Sequence, residues 1–411
     1  MPRGFCVHNL GCKVNRVEAD TLAATLIASG ASPVETSDAA VIIVNTCTVT
    51  AEAGAKARKA VRQALKAPQS PWVIVTGCAA VAEPASYERL GSKAIVLPDK
   101  NEATAQALEI LETKGTSLCP SRTGPAFNTR VGIKVQDGCD NRCAFCIVST
   151  VRGPARSVPL AQVLREASSI EEQGARELVV TGINLGRYHS SGANLAALLE
   201  ALLAATQDVR YRLSSIEPPD LTDELLGLMA RAEGRVCAHL HVPLQSGADE
   251  VLRGMGRHYR TAFYRDRISS ARNMLNHIAI TTDLITGFPG ELEAHHAATL
   301  QLCEELQFSR LHVFRYSRRP GTPAATMPNQ VAPNTVAARA KELRDLSQQL
   351  AAADAGRRVG TCERVLVERK GTGTSESYHP VTVPKQAQRG SLLSMRFTGS
   401  RDNLLTGTII Q

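Results

Sequence analysis

The chain has 411 residues, 43% of them hydrophobic and 21% charged, with a formal net charge of +8. That length suits two or three domains with sizeable cores, and the balance is that of an ordinary soluble globular protein. No apolar run approaches the roughly eighteen residues that would cross a bilayer, which argues against a membrane protein. The opening Met1-Pro2-Arg3-Gly4-Phe5-Cys6 lacks a charged region leading into an apolar core, so no signal peptide is expected. A cytoplasmic location is the expectation. Thiols stay reduced there, and eleven cysteines, an odd number, point to metal or chemistry more than to disulfides.

The first segment, residues 1–115, alternates strands with helices. Residues 5–10 read as a strand, 18–29 as a helix ended by Gly30, 41–44 as an apolar strand, 51–66 as a helix and 72–76 as a further strand. Pro68 and Pro71 break the second helix. Such alternation with wholly apolar strands predicts a doubly wound parallel sheet. Cys12, Cys47 and Cys78 each fall at or just past a strand's carboxyl end, 35 and 31 residues apart, about one βαβ unit each time. The carboxyl ends of neighbouring strands share one edge, where ligands collect. Three cysteines distant in sequence are therefore expected to meet, with Gly11 and Gly77 giving close turns beside them. Each cysteine taken alone reads as a small buried hydrophobe; three at equivalent positions read as a three-thiolate metal site.

Residues 113–125, rich in Thr, Ser, Gly and Pro, read as a linker to a second segment, 125–355. Six strand-like runs recur at 131–135, 177–181, 210–216, 236–242, 278–285 and 310–316, with amphipathic helices between them. Six βα units predict a partial (β/α)6 barrel. After its first strand comes Gly138-Cys139-Asp140-Asn141-Arg142-Cys143-Ala144-Phe145-Cys146, at the carboxyl-end face where barrel sites are built. Gaps of three and then two residues let Cys139, Cys143 and Cys146 converge on one metal cluster, with no fourth cysteine close by. Three thiolates on a four-iron cubane leave one iron open to an outside ligand. A zinc site or a buried cysteine cluster is the alternative, but zinc favours four protein ligands, often as two C-x2-C pairs.

The third segment, 357–411, changes to short β-rich runs at 362–368, 379–383, 392–398 and 404–410, separated by turns such as Lys370-Gly371-Thr372-Gly373. A small antiparallel barrel follows, of a kind often used to bind RNA. Nine Lys or Arg stand against four Asp or Glu in these 55 residues, which suggests a polyanionic partner. Tyr378 and Phe397 are the few aromatics, so charge is expected to outweigh base stacking. Elsewhere, Gly182-x-x-x-Gly186 lacks the dinucleotide-loop pattern and reads as a strand-end turn. His239 and His241 read as packing residues of one strand and His295-His296 as surface. Cys6, Cys119, Cys237, Cys303 and Cys362 have no partner at ligand spacing.

The cysteine loop, with Phe145 before its last cysteine, resembles the signature of radical S-adenosylmethionine (SAM) enzymes. The three segments in this order, with three cysteines in each of the first two, resemble the methylthiotransferases over essentially the whole chain. Within that family, Asn45-Thr46-Cys47-Thr48-Val49-Thr50, Leu213-Ser214-Ser215-Ile216-Glu217-Pro218 and His312-Val313-Phe314-Arg315-Tyr316-Ser317 look like the branch acting on threonylcarbamoyladenosine in tRNA. Arg319-Pro320-Gly321-Thr322-Pro323-Ala324-Ala325 and Tyr378-His379-Pro380-Val381 point the same way. Departures occur at Arg16, Ser149 and Arg318, none at an expected ligand.

The resemblance implies two 4Fe–4S clusters. One, on Cys139, Cys143 and Cys146, reductively cleaves SAM, and the adenosyl radical abstracts hydrogen from C2 of the adenine. The other, on Cys12, Cys47 and Cys78, presents sulfur that a second SAM methylates. Phe145, Gly182, Asn184, Glu217 and Gln245 are candidate contacts to SAM or the adenosine. The implied partners are the tRNA anticodon loop, an electron donor and a sulfur source, and the third segment is a TRAM-like module. Its removal, residues 357–411, is expected to weaken tRNA binding while leaving SAM cleavage measurable. Sister branches act on isopentenyladenosine in tRNA or on a ribosomal-protein aspartate. An iron–sulfur electron carrier would leave a six-unit barrel without a task, and a non-catalytic RNA-binding protein would leave six ligand-spaced cysteines idle.

Overall fold

The structure is a computed structural model that describes residues 4–48, 50–113, 121–124, 126–232 and 234–410. Cys119 and most of the expected linker lie outside the described residues. The chain folds as two compact units. Unit 1 comprises Met1–Phe127, Gly138–Asp140 and Cys146–Pro154, and unit 2 comprises Asn128–Asp137, Asn141–Phe145 and Ala155–Gln411.

Unit 1 is built on a five-stranded, all-parallel sheet. Its strands are β1 (Gly4–Asn9), β2 (Ser32–Pro33), β3 (Val41–Thr46), β4 (Trp72–Gly77) and β5 (Ala94–Val96), in the spatial order β2-β1-β3-β4-β5. Helices α1 (Lys13–Ala28), α2 (Ala51–Ala64), α3 (Cys78–Ala82), α4 (Pro84–Glu88) and α5 (Lys100–Ile110) accompany it. Every residue of β3 is buried, because both faces of the sheet are covered. Ile42 and Val44 join Ala57, Val61 and Tyr87 in one core. Val41 and Ile43 join Leu22, Leu26, Ala103 and Ala107 in the other, as the two-residue strand period requires. Helix α1 begins five residues earlier than its apolar pattern indicated, with Cys12 as its N-cap. A short helix, α6 (Val148–Arg152), also belongs to unit 1.

Unit 2 carries strands β6 (Arg130–Lys134), β9 (Glu177–Thr181), β10 (Arg210–Leu213), β11 (His239–His241), β12 (Ala279–Thr286) and β13 (Arg310–Arg315), with a two-residue ribbon of β7 (Gln136–Asp137) and β8 (Arg156–Ser157). Parallel pairing joins β6, β9 and β10 and, separately, β11, β12 and β13. Single parallel bridges at Tyr211–Val236 and Ser215–His241 join the two sets into one six-strand arc. Helices α7 (Leu160–Glu172), α8 (Leu195–Ala205), α9 (Asp223–Arg231), α10 (Asp249–Gly254), α11 (Thr261–Met274) and α12 (Glu293–Glu305) fill the crossovers, and α13 (Pro333–Arg357) follows the last strand. The partial (β/α)6 expectation is met. Contrary to expectation, His296 is not a surface residue: it is 1% exposed and its Nε2 lies 2.8 Å from the Glu342 carboxylate.

The C-terminal strands β14 (Cys362–Arg369), β15 (Thr372–Ser375), β16 (Pro380–Thr382), β17 (Leu392–Arg401) and β18 (Leu404–Ile409) close a barrel in the order β14-β15-β16-β18-β17. Val365, Val367, Val381, Met395, Phe397 and Leu405 fill it. Thr372 and Gly373, expected in a turn, open β15, so the turn is Lys370-Gly371.

Buried charge pins this barrel to the strand arc. Arg210 and Arg212, 0% and 1% exposed, both pair with the buried Glu177. Arg210 donates to the carbonyls of Arg364 (2.7 Å) and Thr374 (3.2 Å), and Arg212 to those of Glu376 and Ser375 (2.9 Å each). The guanidiniums of Arg130 and Arg212 lie over the Tyr378 ring, 5.1 and 4.7 Å from its centre. Cutting the chain at residue 357 would strip four carbonyl acceptors from two buried cations. Each buried donor left unsatisfied costs about 1–3 kcal/mol, so truncation is expected to damage the core itself rather than spare SAM cleavage.

Candidate functional site

In unit 1 the strand ends converge on Asn15, which is fully buried in the first turn of α1. The Cys12 thiol donates to Asn15 Oδ1 at 3.3 Å. Asn15 Nδ2 donates to the Thr46 carbonyl, one residue before Cys47, at 2.8 Å. Asn45 Nδ2 returns a bond to the Asn15 carbonyl at 2.7 Å. The Thr46 hydroxyl accepts from the backbone N–H groups of Ala79 and Ala80 at 3.2 and 3.3 Å, which ties the start of α3, and so Cys78, to the end of β3. Gly77 turns with φ +92°, and an added Cβ there would collide with Asn45. Cys47 and Cys78 are buried, whereas Cys12 is exposed. Asn15 thus binds Cys12 directly and the residue before Cys47, while Arg152 links it to Cys78.

Arg152 enters the same place from α6. Its Nε donates to Cys78 Sγ at 3.3 Å, its Nη2 to Asn15 Oδ1 at 2.7 Å, and it clamps Glu18 through both terminal nitrogens at 2.9 and 3.2 Å. Glu18 also pairs with Lys100 at 2.9 Å. At the other end of the helix, the backbone N–H of Val148 donates to Cys146 Sγ at 3.5 Å. Cys139 N–H donates to the Gly153 carbonyl at 3.1 Å, and Gly138, φ +71°, lies so close to Pro154 that no side chain fits. Cys139 and Cys146 group with unit 1, and Cys143 with unit 2.

Within unit 2, Arg257 Nη1 donates to Cys143 Sγ at 3.1 Å, and its Nη2 bonds the Glu217 carboxylate. Ala144 exchanges backbone bonds with Met255 and Ala324, and Phe145 packs against the apolar cluster of Ala144, Val251, Met255 and Phe288. Asn184 N–H donates to Gln136 Oε1 at 2.7 Å, and the bare Cα of Gly182 admits the same Gln136 side chain. Gln245 holds a left-handed φ of +67° while its backbone bridges to Asp283 and Ile285 on β12. His239 and His241 both reach Thr281 Oγ1, at 3.1 and 2.9 Å. Burial pushes the Cys237 thiol up to about 11 and that of Cys303 further still, so these two stay protonated.

Asn15, Glu18, Arg152 and Arg257 carried no signal in the sequence reading. The one available was position: Asn15 lies three residues after Cys12, and Arg152 six after Cys146. As to metal, a zinc centre holds its sulfur ligands about 2.3 Å from one ion. Among the described residues no three Cys, His, Asp or Glu groups are arranged to hold a single ion. Three thiols without nitrogen or oxygen donors suit an iron–sulfur cluster.

Comparison with known proteins agrees. Residues 133–303 match the Radical SAM superfamily, and residues 4–97 match the uncharacterized protein family UPF0004. The threonylcarbamoyladenosine tRNA methylthiotransferase MtaB of Thermotoga maritima is 34% identical over 88% of this chain and 86% of its own length. Its counterpart in Bacillus subtilis is 36% identical over 84% and 80%. The tRNA-2-methylthio-N(6)-dimethylallyladenosine synthase of Chlorobium luteolum is 34% identical over 99% and 98%. Among solved structures, the radical SAM methyltransferase TsrM of Kitasatospora setae, with cobalamin and a 4Fe–4S cluster bound, superposes with a TM-score of 0.56 at 17% identity over 79% of this chain and 77% of its own. That likeness carries the fold; the relatives carry the family. With two sets of three cysteines in this architecture and relatives matched nearly end to end, the chain belongs to the radical SAM tRNA methylthiotransferases, sulfur-group transferases that use SAM and 4Fe–4S clusters.

Proposed function

We propose that the protein converts threonylcarbamoyladenosine beside the anticodon of tRNA to its 2-methylthio derivative. The observation that supports this most is the pair of relatives named for that substrate at 34% and 36% identity, together with the branch-like stretches around Cys47, Glu217 and Tyr316. We assign one cluster to Cys139, Cys143 and Cys146 and the other to Cys12, Cys47 and Cys78, across segments at 1–115, 125–355 and 357–411. When bound, the clusters and SAM supply radical hydrogen abstraction and sulfur delivery at an aromatic carbon that offers no acid–base handle.

The chain's own part is binding and orientation. Arg257 and Glu217 form a charge pair at the carboxyl end of the strand arc, where Glu217 keeps 22% exposure of its side chain and so stays accessible to a ligand's ammonium or hydroxyl. Phe145, Gly182, Asn184 and Gln245 remain the other candidate contacts. The C-terminal barrel presents Arg369, Lys370, Lys385, Arg389, Arg396 and Arg401 as exposed residues against a single exposed acid, Asp402. Its three other carboxylates are used internally: Glu363 on Arg358, Glu376 on Arg364 and Glu368 on Arg130. The barrel's surface is therefore more basic than its composition. Phe397 is buried and Tyr378 is stacked under arginines, so phosphate contacts outweigh base stacking. The base itself must leave its stack for C2 to be reached.

The second reading is the dimethylallyl substrate, favoured by the synthase matched over 99% of this chain. Mass spectrometry of tRNA nucleosides from a deletion strain separates the two. Loss of 2-methylthio-threonylcarbamoyladenosine supports the proposal. Its persistence, with loss of the isopentenyl counterpart, overturns it.

A further inference from the structure

We infer that Arg152 is a positioning residue of the N-terminal cysteine site: its guanidinium holds a fixed positive charge against the Cys78 sulfur and sets the reduction potential of the cluster assigned to Cys12, Cys47 and Cys78. The inference rests on that assignment. Four observations carry it. Arg152 is only 9% exposed, so its charge is poorly screened by water. Its Nε–H is aimed at Cys78 Sγ at 3.3 Å, and hydrogen bonds to cluster sulfurs, with local charge and burial, are what tune cluster potentials. Its remaining donors are locked on Glu18 and Asn15, so the bond to sulfur is oriented by the protein before any cluster is present. Finally, Glu18, the carboxylate that Arg152 clamps, is also paired with Lys100, so the Arg152 charge is not cancelled by a carboxylate of its own.

The helix that carries Arg152 also touches a cysteine of the other set. Helix α6 is five residues long, with Val148 N–H on Cys146 Sγ at its start and Arg152 Nε–H on Cys78 Sγ at its end. One short helix thus donates to a sulfur of each cysteine set, one from each end. No bond is made or broken in this role. The guanidinium stays protonated and favours the more negative, reduced state of whatever the sulfurs hold.

The test is potentiometric titration of the reduced-cluster electron paramagnetic resonance signal. It uses the full chain carrying Cys139→Ala, Cys143→Ala and Cys146→Ala, reconstituted anaerobically with iron and sulfide, so that only the N-terminal site is loaded. Adding Arg152→Gln should lower the reduced-to-oxidised ratio at a fixed potential about tenfold, a shift of about 59 mV for one electron. Glu18→Gln, which leaves the guanidinium uncompensated, should shift the potential the opposite way, and it keeps the test open should Arg152→Gln fail to fold. Opposite signs support the inference, since a merely structural clamp would degrade both variants alike. Unchanged potentials, or shifts of the same sign, overturn it. If the triple-alanine chain binds no iron, the cluster assignment itself falls and takes the inference with it.

Discussion

Two arginine–glutamate systems stand at opposite ends of the strand arc of unit 2, and they differ in what their donors face. At the amino ends, Glu177 opens β9 and Arg210 opens β10; the carboxylate is 0% exposed, and both its arginines spend their other donors on carbonyls of the C-terminal barrel. At the carboxyl end, Arg257 faces a cysteine sulfur, and the Glu217 side chain keeps 22% exposure. The first system is closed and the second is open. A closed network of buried charge reads as architecture, and an open one beside a thiol reads as chemistry, which matches the division of a barrel into a stability face and a catalytic face.

Cysteine substitutions give the all-or-none contrast. Replacing Cys139, Cys143 and Cys146 with Ala should abolish reductive SAM cleavage, followed as 5′-deoxyadenosine by chromatography. Replacing Cys12, Cys47 and Cys78 should leave cleavage but stop methylthiolation. Methylthiolated product from the second variant would remove the N-terminal site from the reaction. Iron counting on the same proteins should find about eight atoms in the parent and about four in each variant, as two cubanes require.

Next in size is the closed network. Glu177→Leu leaves two buried guanidiniums without their carboxylate and should cost about 3–5 kcal/mol of stability in chemical unfolding. A loss below about 1 kcal/mol would mean that the arginines are compensated by the carbonyls alone. Acid probes the same group. Burial alone would raise its pKa, but the charges of Arg212 and Arg210 bring Glu177 down to about 2. Its contribution, about 3 kcal/mol, is therefore full above its unfolded value, near 4.5, and lost as pH falls through about 2. Asp354, held low by His379 and Arg358 against its own burial, loses its contribution in the same direction. Unfolding on acidification should be blunted in Glu177→Gln, whose side chain does not titrate.

The open pair should behave in reverse. Glu217→Gln is expected to cost less stability than Glu177→Leu, since its carboxylate retains water, yet to weaken SAM binding about tenfold by equilibrium dialysis, worth about 1.4 kcal/mol. A large stability loss with unchanged SAM affinity would make Glu217 a second structural carboxylate. The smallest effects belong to the barrel's surface. Single neutralisations such as Lys370→Gln or Arg396→Gln should lower tRNA affinity slightly and reduce the salt slope by about one each. A slope unchanged across all six exposed cations would place the RNA elsewhere.

The strand and helix periods, the two cysteine sets and the basic C-terminal segment were legible in the residues, because each is a local pattern: apolar alternation, thiols at a fixed spacing, a charge count. Topology brought Cys12 and the strand end beside Cys47 to one asparagine, since parallel strands expose their carboxyl ends on one edge. What no local pattern revealed was the partner of each charge. Arg152 and Glu18 are 134 positions apart, and Arg212 meets carbonyls more than 160 residues away. His296 looked like a surface residue until α13 supplied Glu342. Ion pairs, like the inward turn of the barrel's carboxylates, act over a few ångströms of space and leave no period in the chain. The sequence by itself determined where the thiols and the strands lie along the chain; the tertiary structure decided which cations face those sulfurs and which only hold the frame.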